Sequence, residues 1–296
     1  MRVAAIQTTA GPDRHENLDA AGVLVEEAAA DGARLVVLPE YFSVAGSPDH
    51  LRSRAEGMEG PTVAWASRLA RRLQIHLLAG TFPERRAGAD SSDRISNTSC
   101  LMDPSGSIQA VYRKIHLFDV ALAGTTFCES ATVAPGADLC LATLGGPSDL
   151  TAGAPPVLGL SICYDLRFPE LYRILALRGA TVIAVPSAFT AATGPAHWEL
   201  LLRARAVENE VFVIGAGQVG ELPPGMPPCH GHSMIVDAWG SVIAERSDPT
   251  PGVVVAELDW ERQRQIRSEL PVLVNRRPAA YRWPRDNSRG RTEPGT

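Results

Sequence analysis

Residues 31–42, DGARLVVLPEYF, return in outline as residues 178–189, RGATVIAVPSAF. Both run through Gly-Ala, a mostly aliphatic stretch, a proline and a final phenylalanine. Each follows a helical pattern that stops at its glycine, the usual residue at a helix C-terminus, and the aliphatic run then reads as a strand. The likeness extends outward in the same order. VAAIQ (3–7) matches GLSIC (159–163) as a leading strand, and IHLLAGTF (75–82) matches VFVIGAG (211–217). NTSCLMDPSGSI (97–108) matches GHSMIVDAWGSV (231–242) with Ser, Asp, Gly and Ser in register. The pairing predicts a duplicated plan of strand, helix, strand, helix, strand, then a hairpin turning at DPSG or DAWG. Two such sheets, each with helices on one face, can bury their free faces against each other. The expected fold is an α/β four-layer α-β-β-α sandwich of two pseudo-repeated halves. Two doubly wound domains side by side are the competing arrangement.

With 296 residues, 45% hydrophobic and 21% charged, the chain can bury one large core or two modest ones. A net charge of -5, without long charged runs, gives no footprint for nucleic acid or an anionic membrane. MRVAAIQTTA meets polar Gln7 and Thr8 too early for a signal peptide, and no run of about 18 apolar residues occurs. A cytoplasmic location is expected. Five scattered cysteines with no C-x-x-C pair indicate neither a disulfide framework nor a zinc ribbon. RRAGADSSD (85–93) reads as a polar hairpin tip, LGGPSDLTAGAPP (144–156) as the connector between halves, and ELPPGMPPC (221–229) as a stiff excursion. One domain is expected over 1–283, with a poorly ordered tail over 284–296.

In sheets with parallel strands, side chains just past the carboxyl ends line the ligand crevice. Gln7, Glu40 and Cys163 stand there. Cys163 is followed by YDLRF, then by Pro169 at a first-turn position and a helix with Leu171, Ile174 and Leu175 on one stripe. The thiol thus sits on a strand-turn-helix elbow. GLSIC resembles the G-x-S-x-G nucleophile elbow without its last glycine, which makes Ser161 a poor nucleophile. A thiol near a helix start and a cation has its pKa lowered from about 8.5 toward neutral. A lone cysteine is equally an ordinary small buried hydrophobe. A nucleophile needs a base and a charge stabiliser. Of the seven histidines (His15, His50, His76, His116, His197, His230 and His232), the His230-x-His232 pair lacks a carboxylate ligand at helical spacing and is not read as a metal site. Lys114, in YRKIHLFD beside Phe118, can lie in a partly apolar place that lowers its pKa, or on a solvated face.

Taken together, LPEYF with Glu40, YRKIHLFD with Lys114 and SICYDLRFPE with Cys163 resemble the Glu-Lys-Cys triad of the nitrilase superfamily of carbon-nitrogen hydrolases. The resemblance runs from Met1 to about Tyr281. PSAFTAATGPAHWELLLRARAVENEVFVIGAGQ (186–218), with GHSMIVDAWG after it, is similar to the branch of omega-amidases and deaminated glutathione amidases. The family fold is the α-β-β-α sandwich that the internal echo predicts.

The resemblance implies a cysteine-dependent amidase working through a thioester. Glu40 is then the general base, Cys163 the nucleophile, and Lys114 with the backbone N–H of Tyr164 the oxyanion hole. Glu129, in FCES, is the family's second glutamate and orients Lys114. No cofactor or metal is called for. The substrate class is a small amide with a carboxylate at its far end, and an N-carbamoyl amino acid hydrolase, a nitrilase and a non-catalytic scaffold are the alternatives. Tyr41, Phe189 and Thr190 follow the echoed strand ends and are expected as pocket walls. Arg167, Arg173, Arg203 and Arg205 are candidates for the carboxylate clamp, each with a helix glutamate nearby that offers a structural ion pair instead. Family members dimerise, and the helix around WELLLRARAVEN with the one after Cys163 is the expected surface.

Overall fold

The computed structural model describes residues 1–86, 94–122, 124–145 and 154–281. Most of the polar tip 85–93, most of the connector 144–156 and the whole tail 284–296 lie outside the described residues. The first half comprises β1 (Arg2–Gln7), α1 (Arg14–Ala30), β2 (Leu35–Val37), α2 (Pro48–Ser53), α3 (Pro61–Leu73), β3 (His76–Leu78), β4 (Phe82–Glu84), β5 (Ser96–Met102) and β6 (Ile108–Arg113). A separate ribbon follows, β7 (Asp119–Leu122) with β8 (Thr125–Cys128). The second half comprises β9 (Leu141–Thr143), β10 (Val157–Leu160), α4 (Pro169–Leu177), β11 (Val182–Ser187), α5 (Gly194–Asn209), β12 (Phe212–Gly217), the short ribbon β13 (Val219–Gly220) and β14 (Cys229–His230), β15 (Met234–Val236) and β16 (Val242–Glu245). β17 (Gly252–Glu257) and α6 (Trp260–Glu269) close the chain.

The echo is structural. β1, β2 and β3 are parallel neighbours, as are β10, β11 and β12. In each half an antiparallel hairpin follows, β5–β6 or β15–β16, and both shift register at the same place, Leu101/Met102 and Ile235/Val236. The two turns match bond for bond. Asp103 Oδ1 accepts the N–H groups of Ser105 and Ser107, and Asp237 Oδ1 those of Trp239 and Ser241. α1 and α4 end alike: Gly32 and Gly179 have φ of 85° and 98°, and the next N–H reaches back to Ala28 O and Leu175 O, a Schellman closure.

Period-two alternation sorts the first sheet's residues into layers. Ala4, Ile6, Val36 and Leu77 pack with Leu18, Val25 and Leu69 of α1 and α3. Val3, Ala5, Leu35, Val37 and Leu78 join a core that also holds Leu158, Leu160, Val182 and Val213 of the second sheet, with Leu171 and Trp198 of its helices. The resulting fold is the α/β sandwich of the echo. β17 returns from the second half to pair antiparallel with β1. The halves are also stitched where β1 ends: Thr8 N–H donates to Gly217 O and Val219 N–H to Thr8 O. Gln7 completes that seam rather than lining a crevice, donating to the carbonyls of Asp248 and Thr250 and accepting Ser233 N–H.

Two local expectations need correction. The strand written into GLSIC stops at Leu160, and a 3-10 turn, Cys163–Arg167, separates it from α4. On α4, the buried face runs through Leu171, Tyr172, Leu175 and Ala176, which leaves Ile174 beside it and 41% exposed. Among the described residues no helix is long and apolar enough to cross a membrane.

α5 sits unusually near its sheet at Gly215, where a Cβ would lie 2.8 Å from both Leu202 and Trp198. Gly215→Ala is therefore expected to cost about 1–3 kcal/mol by overpacking, lowering Tm by about 2–4 °C per kcal/mol. A melting curve at or above that of the parent would contradict the close approach.

Candidate active site

Strand ends from both halves meet at one small cavity. Beyond β2 the chain runs through Leu38 and Pro39 to Glu40. Leu38 N–H donates to Leu78 O, Thr81 N–H to Pro39 O (3.1 Å) and Tyr41 N–H to Thr81 Oγ1 (2.8 Å). Gln218, from the other half, donates to Glu40 O at 3.0 Å. These bonds hold Tyr41 at φ 55°, in the left-handed region that non-glycine residues seldom occupy.

Cys163 opens its 3-10 turn with φ 45°. Such backbone strain persists only where the surroundings over-determine it, and here Asp165 does so. Its carboxylate, fully buried, accepts Ile162 N–H (2.9 Å) and Tyr112 O–H (2.7 Å) on one oxygen. The other oxygen accepts His116 N–H (3.0 Å) and meets His116 Nδ1 (2.7 Å). The His116 ring in turn stacks on Phe168. Asp165 thus ties the turn bearing Cys163 to the segment bearing Lys114. Ser161 points away into the fold, bonded to Tyr172 Oη and Ala184 O.

Lys114 follows β6 and bonds through its backbone N–H to Asn97 O. Its side chain is 2% exposed. Nζ donates to Glu40 Oε1 (2.9 Å) and to both oxygens of Glu129 (3.1 and 2.9 Å). Asn97 Nδ2 spans the same two carboxylates, at 2.8 Å from Glu40 Oε1 and 3.3 Å from Glu129 Oε1. Phe118 N–H and Tyr41 O–H complete Glu129. Glu40 Oε2 accepts Ala188 N–H at 2.8 Å, from the loop after β11 that echoes its own. The Cys163 thiol lies beside the Glu40 carboxylate and the Ala188 N–H, near enough for both to act on its protonation.

The electrostatics reverse both expected titrations. The Cys163 thiol is pushed well up, first by burial and then by the Glu40 charge, against a smaller pull from Lys114. A helix start that could favour a thiolate begins only at Pro169. Burial alone would lower Lys114, but Glu129 and Glu40 outweigh it and hold the ammonium well above its ordinary range. The resting arrangement is a neutral thiol against a carboxylate, beside an ammonium shared by two carboxylates.

The cavity has a volume of about 160 Å³. Glu40, Lys114, Glu129, Cys163 and Tyr164 reach it, as do Tyr41, Phe189 and Thr190. Of the four arginines, Arg167 alone lines it. Arg203 pairs with Glu199, Arg205 holds Leu166 O and Glu208, and Arg173 keeps a buried Nη1 without a hydrogen-bond partner. The Pro-rich stretch 221–229 folds back as a roof, where Met226 Sδ accepts Gly46 N–H. The His230 and His232 rings stack on each other at 4.4 Å. Asn97, Asp165 and Met226 are the site residues that the sequence reading missed. A signal existed for Asn97: SNTS is a polar stretch at the start of a strand buried throughout.

A family model described as carbon-nitrogen hydrolase matches residues 2–268. A deaminated glutathione amidase of Synechocystis sp. is 41% identical over 92% of this chain and 97% of its own. An omega-amidase, NIT2, of Pongo abelii is 36% identical over 95% and 96%. Among solved structures, Saccharomyces cerevisiae Nit3, a member of branch 10 of the nitrilase superfamily, superposes with a TM-score of 0.78 at 35% identity, covering 92% of this chain and 94% of that one. A variant amidase of Nesterenkonia sp. AN1, carrying a Michael adduct of acrylamide at its active-site cysteine, superposes at 0.72 with 28% identity, covering 92% and 98%.

Because the thiol is displaced upward, subtracting the ultraviolet spectrum of Cys163→Ser from that of the parent should reveal no thiolate absorption from neutral pH through the ordinary thiol range near about 8.5. A thiolate band already present at neutral pH would overturn the stated direction.

Proposed function

The chain belongs to the carbon-nitrogen hydrolase family, and from that membership we propose that it hydrolyses a small carboxylate-bearing amide to acid and ammonia, using Cys163, Glu40, Lys114 and Glu129. It is a hydrolase of carbon-nitrogen bonds other than peptide bonds. The observation that carries the residue roles is the convergence of one ammonium on Glu40 and Glu129 in the cavity that Cys163 also lines.

The thiol proton passes to Glu40 as sulfur attacks the amide carbon, so the carboxylate acts as general base at the moment of attack. The carbonyl oxygen becomes an oxyanion, met by the Lys114 charge and the Tyr164 backbone N–H. All three ammonium protons are already taken, and the longest bond, 3.1 Å to Glu129 Oε1, is the one an oxyanion can replace while Glu129 Oε2 keeps its hold. The C–N bond breaks, nitrogen collects the proton from Glu40, and ammonia leaves a thioester on Cys163. Water then gives a proton to Glu40 and attacks the thioester carbon. The acid departs, and the proton returns to sulfur.

Substrate class follows from the walls. Phe118, Phe127, Phe189 and Met226 make them apolar around a cavity of about 160 Å³. Arg167, with no carboxylate within 4.0 Å among the described residues, supplies a free positive charge in the same cavity. A terminal carboxylate matches its fork. The relatives named for deaminated glutathione and omega-amides support that class. A second copy of the chain is proposed on the face of α4 and α5, where Ile174, Leu177, Leu200 and Val207 are exposed. Sedimentation of Leu200→Glu as a monomer and the parent as a dimer is expected; a monomeric parent would end that proposal.

Ammonia release should be screened across succinamate, 2-oxoglutaramate, deaminated glutathione, N-carbamoyl amino acids and simple nitriles. Turnover confined to the first three is expected. Cys163→Ala should release none, and Lys114→Ala, still folded, should lose about 10²–10³ in kcat. Turnover by Cys163→Ala removes the nucleophile assignment. Arg167→Ala should raise KM for the carboxylate-bearing amide by about tenfold or more, as loss of a charge-assisted bond of about 1.5–3 kcal/mol requires.

A further inference from the structure

We infer that His197 is a specificity-determining positioning residue, which holds the Arg167 guanidinium toward the cavity as a free cation and so selects amides with a far-end carboxylate. The inference rests on the proposed role of Arg167 as the clamp.

Arg167 closes the 3-10 turn that Cys163 opens, so its side chain starts one turn from the proposed nucleophile. Its guanidinium carbon lies over two aromatic rings, Phe189 at 5.1 Å and Tyr164 at 5.9 Å from the ring centres. Its edge meets two neutral groups: Nη1 donates to His197 Nδ1 at 3.3 Å and Nη2 to Thr193 Oγ1 at 3.4 Å. Thr193 Oγ1 is fixed in turn by Thr190 Oγ1 at 2.9 Å. His197 and Thr193 lie one turn apart at the start of α5, joined by the His197 N–H to Thr193 O bond.

Guanidinium has five donors and no acceptor. His197 Nδ1 must therefore be the acceptor, and the ring proton resides on Nε2. That neutral tautomer matters. A carboxylate in its place would steady the arginine equally well but would cancel its charge and compete with the substrate's own carboxylate. Arg203 and Arg205 illustrate the contrast, each being paired with a helix glutamate. An imidazole acceptor orients the fork and leaves the charge for a ligand. Bidentate recognition depends on that orientation, so loosening it weakens binding of an anion and leaves the chemistry at Cys163 alone.

The test compares succinamate with 4-methylpentanamide, in which an isopropyl group replaces the carboxylate, and with butyramide, as substrates or as competitive inhibitors where turnover is slow. His197→Ala should raise KM or Ki for succinamate by about three- to tenfold, the loss of one neutral hydrogen bond, with the two neutral amides moved less than about twofold. The effect should lie in KM rather than kcat. His197→Asn should recover most of it, because its Oδ1 can accept where Nδ1 did. If Arg167→Ala weakens succinamate and His197→Ala does not, the inference falls and the clamp stands. If neither variant affects succinamate, the clamp falls and takes the inference with it. Equal losses on the charged and neutral amides, or no recovery with Asn, would mark His197 as merely structural and overturn it.

Discussion

The site depends on one buried ammonium. Lys114, 2% exposed, gives its three protons to Glu40 and Glu129, which lie 74 and 15 residues away in sequence. Removing such charges from water costs several kcal/mol per ion, offset only where geometry and hydrogen bonding are good. Every other feature serves that geometry. Asn97 bridges the two carboxylates as a neutral double donor, so two like charges share a cation and an amide rather than repelling each other apart. Asp165 anchors both the lysine segment and the cysteine turn to one buried carboxylate.

Duplication explains why such a site exists at all. Parallel strands deliver side chains at their carboxyl ends, and two packed sheets bring two sets of such ends together. Glu40 comes after β2, and the N–H that steadies it comes from Ala188 after β11, its counterpart. Cys163 comes after β10, the counterpart of β1. The first half contributes Glu40 and Lys114 and the second the sulfur, and neither is a site alone. The seam at Thr8, Gly217 and Gln218 keeps the two in register.

The sandwich was legible because repetition is written in residue order, and the strand-end residues Glu40, Lys114 and Cys163 because each stands beside a distinctive motif. Pairings made only by folding were not legible. Asp165 looks like any acid in an elbow until Tyr112 and His116 arrive from 53 and 49 residues away. A low thiol titration is the expectation that a helix start and a nearby cation set for Cys163. The helix starts at Pro169 as expected, but burial and the Glu40 carboxylate outweigh it and the lysine. For Lys114 the sequence leaves a partly apolar place and a solvated face both open; the residue is buried, but Phe118 N–H binds the glutamate that raises the lysine. The roof made by Met226 lay hidden in a stretch whose prolines announce stiffness but not direction.

The protonated state of Cys163 has a consequence for durability. Peroxides attack sulfur most readily as the anion, and Cys163 is 8% exposed, with burial and Glu40 opposing its ionisation. Cys128, at the rim of the same cavity, is exposed. Oxidants arriving from solvent therefore meet the rim thiol before the buried one.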